Sequence, residues 1–591
     1  MALFFGLLVV RVGQLQALAP ERYVRLGEEQ TVHTTTIAAE RGSIYDRNGA
    51  ELALSTPRST VYADPKFVTD AHREASTLAP LLHVDAAKLE KLLSSHNRFD
   101  YLARQVPSDV VDRVKKVHLD GVYFVDEPYR DRPNGGLARS LLGFTNIDNI
   151  GLGGLERQYD KLLTGTPGRL TVERDPQGRT ISGGHYSSVP AVPGQGLVLT
   201  IDRSLQYQAE RLLEQGVVRT GADGGTAVVM NPRTGEILAM ANVDTDPRTG
   251  DPRVSANNLA LTTVFEPGSV MKTVTLSGVL EEHAWPTSQC VPVPGVMTIA
   301  GSRFSDFEQH GAMCTSMTNV LVNSYNTGTI NLAKALGPTR LSHYFDAFGF
   351  GQSTGLGFPN EQSGYVRPLK EWWGSSLASM SIGQGVSATP MQMLEAINTL
   401  ANGGVYVPAR VVSATIDGDG NRHAVRTKAP HRVISQGTSQ QVRDMMVQVV
   451  SRGTAETAQV AGYTVAGKTG TAQIPAPDGG YVWPDGTKHY MATFAGFLPA
   501  ENPQLSIIVV TNHPTKGVYT GGTVSGPVFS ELASFAIRHF QIPAPSVRLD
   551  LGGPTAGSVT QPHLTDALGD PPEGRYRATP ARRPDPAPTA G

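Results

Sequence analysis

The chain has 591 residues, about four domains' worth at roughly 150 residues per domain, and its 40% hydrophobic and 18% charged residues are typical of a globular protein with sizeable cores. The formal net charge of −2 argues against a general nucleic-acid-binding protein. Two cysteines exclude a disulfide-dense scaffold and a zinc site of four thiolates, and we expect neither a metal nor a cofactor.

An uncharged apolar run opens the chain at residues 1–10 and stops at Arg11. It is about half of the roughly 20 residues that a membrane-spanning helix needs, and it lacks the basic region and cleavage site of a signal peptide. Two interpretations remain, a buried amphipathic helix and the outer half of a membrane anchor whose first half lies upstream. We favour the anchor and assign residues 1–25 to it and to a juxtamembrane segment.

Residues 26–195 have a mixed pattern and are assigned to one N-terminal domain. The polar stretch 31–38 predicts a strand, and residues 41–49 form a turn-rich loop in which Asn48-Gly49 is a strong turn signal between two extended runs. Residues 151–160 predict a short amphipathic helix.

The pattern changes at residue 196 to that of an α+β domain, which we assign to residues 196–542. Asp202 caps a helix whose apolar residues share one face. Residues 196–201 are alternating and strand-like, and five further strands are predicted, the first two as a hairpin: 226–230, 236–241, 464–471, 490–498 and 505–511. Because the helices fall between the second and third of these strands and after the last (about 525–540), the layout is an antiparallel sheet with inserted helices. Residues 543–591, with ten prolines and no Phe or Trp, are predicted to be a disordered tail.

Two glycine-rich matches to catalytic motifs are rejected. Residues 351–355 satisfy G-x-S-x-G, but Pro359 and the flanking glycines predict a loop rather than the strand–turn–helix of a nucleophile elbow. Residues 462–469 match the phosphate-loop pattern, but no helix begins after Lys468 and no acidic residue follows the next apolar strand to bind magnesium.

The third match, Ser269-Val-Met-Lys272, opens a predicted helix at 269–282. Of all lysines in the chain, only Lys272 has a serine three positions earlier. Positions i and i+3 share a helical face, so the amine can reach the hydroxyl and, if burial or a second cation keeps it neutral, take its proton. Free N–H groups at the helix start can stabilise an oxyanion.

Two further segments complete a pattern of three. Residues 324–326 (Ser-Tyr-Asn) offer a hydroxyl and an amide, and residues 468–471 (Lys-Thr-Gly-Thr), on a predicted strand, offer a cation and two hydroxyls for a carboxylate, with Gly470 allowing close approach. S-x-x-K, S-x-N and K-T-G in this order are characteristic of penicillin-binding proteins and class A β-lactamases.

With these motifs the sequence resembles a class B penicillin-binding protein over about residues 10–540. Residues 41–49, 154–160, 265–269 and 383–390 resemble further segments of that family. The resemblance implies a penicillin-binding transpeptidase fold behind an elongated N-terminal pedestal, and D,D-transpeptidase activity in peptidoglycan synthesis. Val270-Met271 replaces the more usual Thr-Phe of the first motif.

The resemblance also implies a role for each site residue. Ser269 is acylated by a D-Ala-D-Ala stem peptide, Lys272 is the general base, Ser324 relays a proton and Asn326 binds the peptide. The third motif binds the terminal carboxylate through Lys468, Thr469 and Thr471 around Gly470, and the N–H groups of Ser269 and Thr471 form the oxyanion hole. β-Lactams are expected to acylate Ser269 stably.

By the same resemblance the protein is anchored by a single pass in the bacterial cytoplasmic membrane, with its catalytic domain outside. A division-type role, alongside a polytopic SEDS-type lipid II polymerase and other division proteins, is favoured over an elongation role. Three alternatives stay open: a β-lactamase-like hydrolase, for which the water-activating Glu after the second motif is missing, a β-lactam sensor, and a non-catalytic cell-wall scaffold.

Cys290 and Cys314 flank a stretch with Pro and Gly turn signals that can bring its ends together. Outside the cell they can form a disulfide, and two buried free thiols remain the alternative.

Overall fold

The computed structural model describes residues 2–13, 31–173, 181–184 and 186–544. The tail predicted at 543–591 and the juxtamembrane half of the predicted anchor lie almost wholly outside these residues. The apolar start forms helix α1 (Ala2–Gly13). Among the described residues, no helix is both long enough and apolar enough to cross a membrane.

After α1, the described residues of the N-terminal region from 31 to about 195 form seven strands and six α-helices. The strands are β1 (Val32–Ile37), β2 (Ile44–Tyr45), β3 (Glu51–Ala63), β4 (Asp100–Val106), β5 (Val122–Asp131), β6 (Gly168–Glu173) and β7 (Tyr186–Val189). The helices are α2 (Ala71–Leu82), α3 (Ala86–Leu93), α4 (Ser108–Lys115), α5 (Arg139–Leu142), α6 (Gly154–Gln158) and α7 (Asp160–Leu163). The predicted strand at 31–38 is therefore present, whereas the helix predicted at 151–160 is broken in two at Tyr159.

A buried ionic cluster joins the two N-terminal segments that the sequence singled out at 41–49 and 154–160. The Arg41 guanidinium donates to Glu156 (Nε–Oε2, 2.6 Å) and to Asp160 (Nη1–Oδ1, 2.8 Å), and Arg130 Nε donates to the other Glu156 oxygen at 2.7 Å. Glu156 is fully buried. Because an unpaired buried charge is costly, these side chains fix how the two segments meet.

The C-terminal region contains the strands of the predicted α+β domain and a set of helices between and behind them. The strands are β8 (Gly196–Leu199), β9 (Gly224–Met230), β10 (Ile237–Thr245), β11 (Pro252–Val254), β12 (Val291–Val293), β13 (Val296–Ile299), β14 (Ser302–Ser305), β15 (Met313–Thr315), β16 (Val405–Tyr406), β17 (Val412–Ile416), β18 (Arg422–Ala424), β19 (His431–Arg432), β20 (Ala466–Gln473), β21 (Tyr490–Leu498) and β22 (Leu505–Asn512). The helices are α8 (Arg203–Thr220), α9 (Leu259–Thr262), α10 (Lys272–Glu281), α11 (Met317–Val322), α12 (Asn326–Leu336), α13 (Pro338–Ala347), α14 (Ser376–Ser381), α15 (Pro390–Ala401), α16 (Gln436–Arg452) and α17 (Gly521–His539).

The central sheet has six strands in the order β11-β10-β9-β22-β21-β20, and each neighbouring pair is antiparallel. Its strands are almost entirely buried, which explains their continuous apolar runs. Helices α8 and α17 pack on this sheet, and Asp202 caps α8 by accepting from Leu205 N as predicted. The α+β class and the insertion of helices before β20 are confirmed.

A second, seven-stranded sheet crosses the boundary predicted at residue 196. Strand β8 pairs in parallel with β2, so that Ile44 lies opposite Leu197 and Tyr45 opposite Val198. On its other side β8 pairs with β17. The N-terminal region and the α+β domain therefore share a hydrogen-bonded sheet.

Candidate active site

The nucleophile candidate Ser269 lies in a tight turn at the start of a buried helix. Gly268–Met271 forms a 3-10 turn that leads into α10, so the helix predicted from 269 begins with a tighter first turn. Gly268 has φ of +55°, a conformation that favours glycine, and its N–H donates to the Gly383 carbonyl at 3.1 Å. Ser269 is half-buried at this turn, whereas all nine residues from Lys272 to Leu280 are buried.

Lys272 reaches the second motif. Its amine is fully buried and donates to Ser324 O (2.5 Å), Ser324 Oγ (3.2 Å) and Asn326 Oδ1 (2.6 Å). Helical spacing predicted a contact with the Ser269 hydroxyl, and among the described residues no hydrogen bond joins the two. The spacing places both side chains on one side of the turn, but the tertiary contacts direct the amine to Ser324 and Asn326.

Ser324 occupies the turn between α11 and α12 in the left-handed region, with φ of +57°. This conformation is costly for a serine and persists where the surroundings require it. Besides the Lys272 amine, the Lys468 amine donates to Ser324 Oγ at 3.0 Å. The hydroxyl oxygen therefore bridges two buried amines, and its own proton stays available to another acceptor.

The third motif lies on β20, the last strand in the order of the central sheet. Lys468 is fully buried, Thr469 Oγ1 contacts Thr454 Oγ1 at 2.7 Å, and Thr471 Oγ1 accepts from Gly521 N at 3.0 Å. Because Thr471 accepts that bond, its hydroxyl proton is free to be donated to a substrate.

Gly470 brings β20 against the turn that carries Ser269. A Cβ at this position would lie 2.9 Å from the Pro267 carbonyl oxygen and 2.9 Å from Val270 Cγ2, which is closer than real Cβ atoms approach. The close approach that the sequence predicted for this glycine is therefore present.

Burial sets the protonation of the two lysines. Removal from water lowers the pKa of Lys272 well below its ordinary value, the neighbouring Lys468 lowers it further, and the carboxylate of Asp306 opposes both. Burial also lowers the pKa of Lys468, to about 7. The direction of the shift in the Lys272 pKa favours the neutral form of this amine, which is the form that a general base needs.

A carboxylate that sequence reasoning missed ties the nucleophile turn to its neighbours. Glu266 accepts from Gly385 N at 2.7 Å and from the Tyr481 hydroxyl at 2.8 Å, and burial raises its pKa. Tyr481 lies in the segment between β20 and β21. Glu266 and Gly385 lie in the segments 265–269 and 383–390 that resemble the family, but the sequence did not indicate that the two segments meet through this carboxylate.

The remaining sequence candidates fall outside the site. Residues 351–355 form a loop, and residues 462–465 lead directly into β20 with no helix between them. Both observations agree with the rejection of the two glycine motifs.

The structure joins Cys290 to Cys314 through their sulfur atoms, with a Cα–Cα distance of 5.5 Å. Within the described ranges, no group of three or more His, Cys, Asp or Glu side chains is placed to hold a metal ion.

Two family models match the chain. Residues 225–534 match the penicillin binding protein transpeptidase domain, and residues 36–199 match the penicillin-binding protein dimerisation domain.

Three similar proteins illustrate the match. The peptidoglycan D,D-transpeptidase FtsI of Escherichia coli is 33% identical over 558 residues, covering 91% of this chain and 90% of the relative. The penicillin-binding protein PbpB of Mycobacterium tuberculosis is 35% identical over 539 residues, covering 85% and 78%. The crystal structure of penicillin binding protein 3 from Mycobacterium tuberculosis, complexed with aztreonam, aligns with a TM-score of 0.66 at 31% identity, covering 86% and 98%. The chain therefore belongs to the penicillin-binding proteins, in the class B group that joins a dimerisation domain to a transpeptidase domain.

Proposed function

We propose that this protein is a serine D,D-transpeptidase that cross-links the stem peptides of peptidoglycan. The observation that carries the proposal is the Ser324 hydroxyl, which accepts hydrogen bonds from two buried amines beside Ser269. Burial shifts the pKa of one of these amines, Lys272, toward the neutral form that a base needs, and the other, Lys468, lies on β20, the strand proposed to bind substrate. This arrangement activates a serine without a histidine.

In the first step, Ser269 Oγ attacks the carbonyl carbon of the penultimate D-Ala. A C–O bond forms, the peptide C–N bond breaks, and D-Ala leaves. Lys272 takes the Ser269 proton. Ser324, which contacts both amines, passes its own proton to the departing nitrogen and is reprotonated by Lys272, so both groups return to their starting state. The N–H groups of Ser269 and Thr471 are proposed to hold the oxyanion, since such preorganised donors commonly contribute about 10²–10³ in rate.

In the second step, the amine of a neighbouring stem attacks the acyl-enzyme. The new C–N bond is the cross-link, the ester C–O bond breaks, and the proton lost by the attacking amine returns to Ser269 through Lys272. Before acylation, the terminal carboxylate of the donor, which leaves with D-Ala, is bound by Lys468 and by the hydroxyls of Thr469 and Thr471 on β20. No metal or cofactor is required by this chemistry.

β-Lactams are proposed to acylate Ser269 in place of the stem peptide. The support is the chemical similarity of their strained amide to the D-Ala-D-Ala end and the likeness of the fold to a penicillin binding protein complexed with aztreonam.

The narrower proposals concern location and partners. We propose a single-pass anchor in the cytoplasmic membrane with the catalytic domain outside, supported by the apolar helix α1 (Ala2–Gly13) and by the similarity to FtsI. A division-type role with a SEDS-type lipid II polymerase and other division proteins follows the same similarity. Chemical crosslinking in the native membrane tests the proposed partner separately. Recovery of the polymerase crosslinked to this protein would support the proposal, and its absence from the crosslinked products would contradict it.

Labelling with a fluorescent penicillin tests the proposed activity. We expect a covalent adduct on the wild-type protein and no adduct on the Ser269→Ala variant. The control variant Ser187→Ala, which replaces an exposed serine of β7, should form the adduct. The adduct should persist for hours. Its loss with accumulation of hydrolysed penicillin would indicate a β-lactamase-like hydrolase, and an unlabelled wild-type protein would indicate a non-catalytic scaffold.

A further inference from the structure

The helix that carries Asn326 lacks a cap from its own sequence. Helix α12 (Asn326–Leu336) follows Tyr325, whose side chain makes no capping hydrogen bond. The first N–H groups of a helix need acceptors, and the positive end of the helix dipole favours an anion. An acceptor must therefore come from elsewhere in the fold.

Asp306 supplies that acceptor from a loop 20 residues earlier. Its Oδ1 accepts from the backbone N–H groups of Asn326 and Thr327, the second at 3.2 Å, and its Oδ2 accepts from the Thr327 hydroxyl at 2.9 Å. His310 Nε2 contacts the same oxygen at 2.9 Å. Asp306 is only 7% exposed, so these bonds are shielded from water.

The same loop also fixes the amide side chain of Asn326. Its Nδ2 donates to the Ser305 carbonyl at 2.8 Å, which orients Oδ1 toward the Lys272 amine at 2.6 Å. Ser305 and Asp306 are neighbours in the chain, so one short segment sets both the backbone and the side chain of Asn326.

A small β unit holds this segment in place. Strands β13 and β14 pair as a hairpin, β12 pairs with β15, and the Cys290–Cys314 bond adjoins the second pair. Phe304, two residues before Asp306, packs in a cluster with Ile330 of α12. The unit therefore docks on the helix that its loop caps.

We propose that Asp306 is a positioning residue for the acyl-transfer reaction, which anchors the start of α12 so that Ser324 and Asn326 meet the Lys272 amine. It touches no reacting atom and acts through the second motif. The inference rests on the transpeptidase function proposed above. Its carboxylate also raises the pKa of the buried Lys272 amine, and this gives it an electrostatic signature that a purely structural cap lacks.

The test compares Asp306→Asn with the wild-type protein in acylation by a fluorescent penicillin across pH. Asparagine keeps the shape but loses the charge and one strong acceptor. We expect the second-order acylation rate constant to fall about tenfold or more, because a sub-ångström shift of catalytic groups is costly. Without the anion the pKa of Lys272 falls further, so the acid limb of the profile should move to lower pH.

Asp306 and Lys272 are surrounded by other charged and titratable groups, which the variants compared must leave unchanged. Lys468 faces Lys272, and His310, Tyr325 and Glu308 lie around Asp306. Asp417→Asn is the matched control, because Asp417 likewise pairs with a histidine, His423, at 2.7 Å and accepts backbone N–H bonds, but in an exposed loop.

The outcomes separate the inference from the proposed function. A wild-type protein that is not acylated overturns the function itself. If wild type and Asp417→Asn are acylated and Asp306→Asn matches them in rate and profile, the positioning role is wrong. A lower melting temperature with an unchanged rate and pH profile in the folded variant would likewise show that Asp306 is a structural cap alone.

Discussion

Replacement of Lys468 by methionine tests how the two buried amines control each other. Each amine donates to Ser324 Oγ, at 3.2 Å for Lys272 and 3.0 Å for Lys468, so the two nitrogens lie within about 6 Å of each other. At an effective dielectric constant of about 20, two positive charges at that distance repel by about 3 kcal/mol. This corresponds to about a hundredfold weaker binding of a proton to Lys272 when Lys468 is charged.

The direction in which the Lys468→Met substitution changes the Lys272 pKa follows from the physical causes of its shift. Burial lowers the pKa of Lys272 first and Lys468 lowers it further, so the Lys468→Met variant should have a higher Lys272 pKa. Acylation requires the neutral amine, and its acid limb should therefore move to higher pH. Because the pKa of Lys468 is about 7, the wild-type enzyme loses the positive charge that binds a carboxylate as pH rises through 7. That basic limb should be absent from the variant.

The assay is the second-order rate constant for acylation by a fluorescent penicillin, measured from about pH 5 to 9, which reports groups of the free enzyme. Lys334→Met, an exposed lysine of α12, is the control and should keep the wild-type profile. If Lys468→Met changes only the height of the profile and neither limb moves, Lys468 binds substrate without setting the protonation of Lys272, and the electrostatic argument fails.

Three further predictions concern packing, stability and the cysteines. Gly470→Ala should reduce acylation by about a hundredfold, since its Cβ would push against the backbone beside Ser269; a wild-type rate would mean that the turn yields freely. Glu156→Gln should destabilise the N-terminal region by about 3–5 kcal/mol, seen as an earlier thermal unfolding step, because Arg41 loses a buried partner; unchanged melting would contradict this. Alkylation without reductant should leave the mass unchanged if Cys290 and Cys314 are bonded, and two added alkyl groups would show free thiols.

The sequence carried enough local information to predict the elements of the central sheet. The hairpin predicted at 226–230 and 236–241 is observed at Gly224–Met230 and Ile237–Thr245, because continuous apolar runs bounded by turn residues indicate buried strands. The ends of the elements were predicted less accurately. Helix α17, for example, begins at Gly521, whereas the sequence predicted a start near residue 525. The helix predicted at 151–160 is interrupted at Tyr159, between two short helices whose Glu156 and Asp160 both accept hydrogen bonds from Arg41.

The three motifs could be recognised from the sequence by themselves, since S-x-x-K, S-x-N and K-T-G are short segments whose chemistry depends on residue type. Their order indicated the family, which the similar proteins confirm, and predicts Ser269 as the nucleophile. What no local pattern contained was the direction of the Lys272 amine, which helical spacing assigned to Ser269 and the fold assigns to Ser324 and Asn326.

The sequence by itself determined which groups are the candidates for the chemistry, and the tertiary structure decided their surroundings. Lys272 and Lys468 are ordinary lysines in the sequence; burial and the charge of Lys468 lower the pKa of Lys272, and both conditions arise only when α10, α12 and β20 meet. Asp306 is one acid among many until its loop reaches the start of α12. A sequence motif identifies residue types that are close together in the chain. By contrast, pKa values and hydrogen-bond partners depend on the distances between residues that are far apart in the chain.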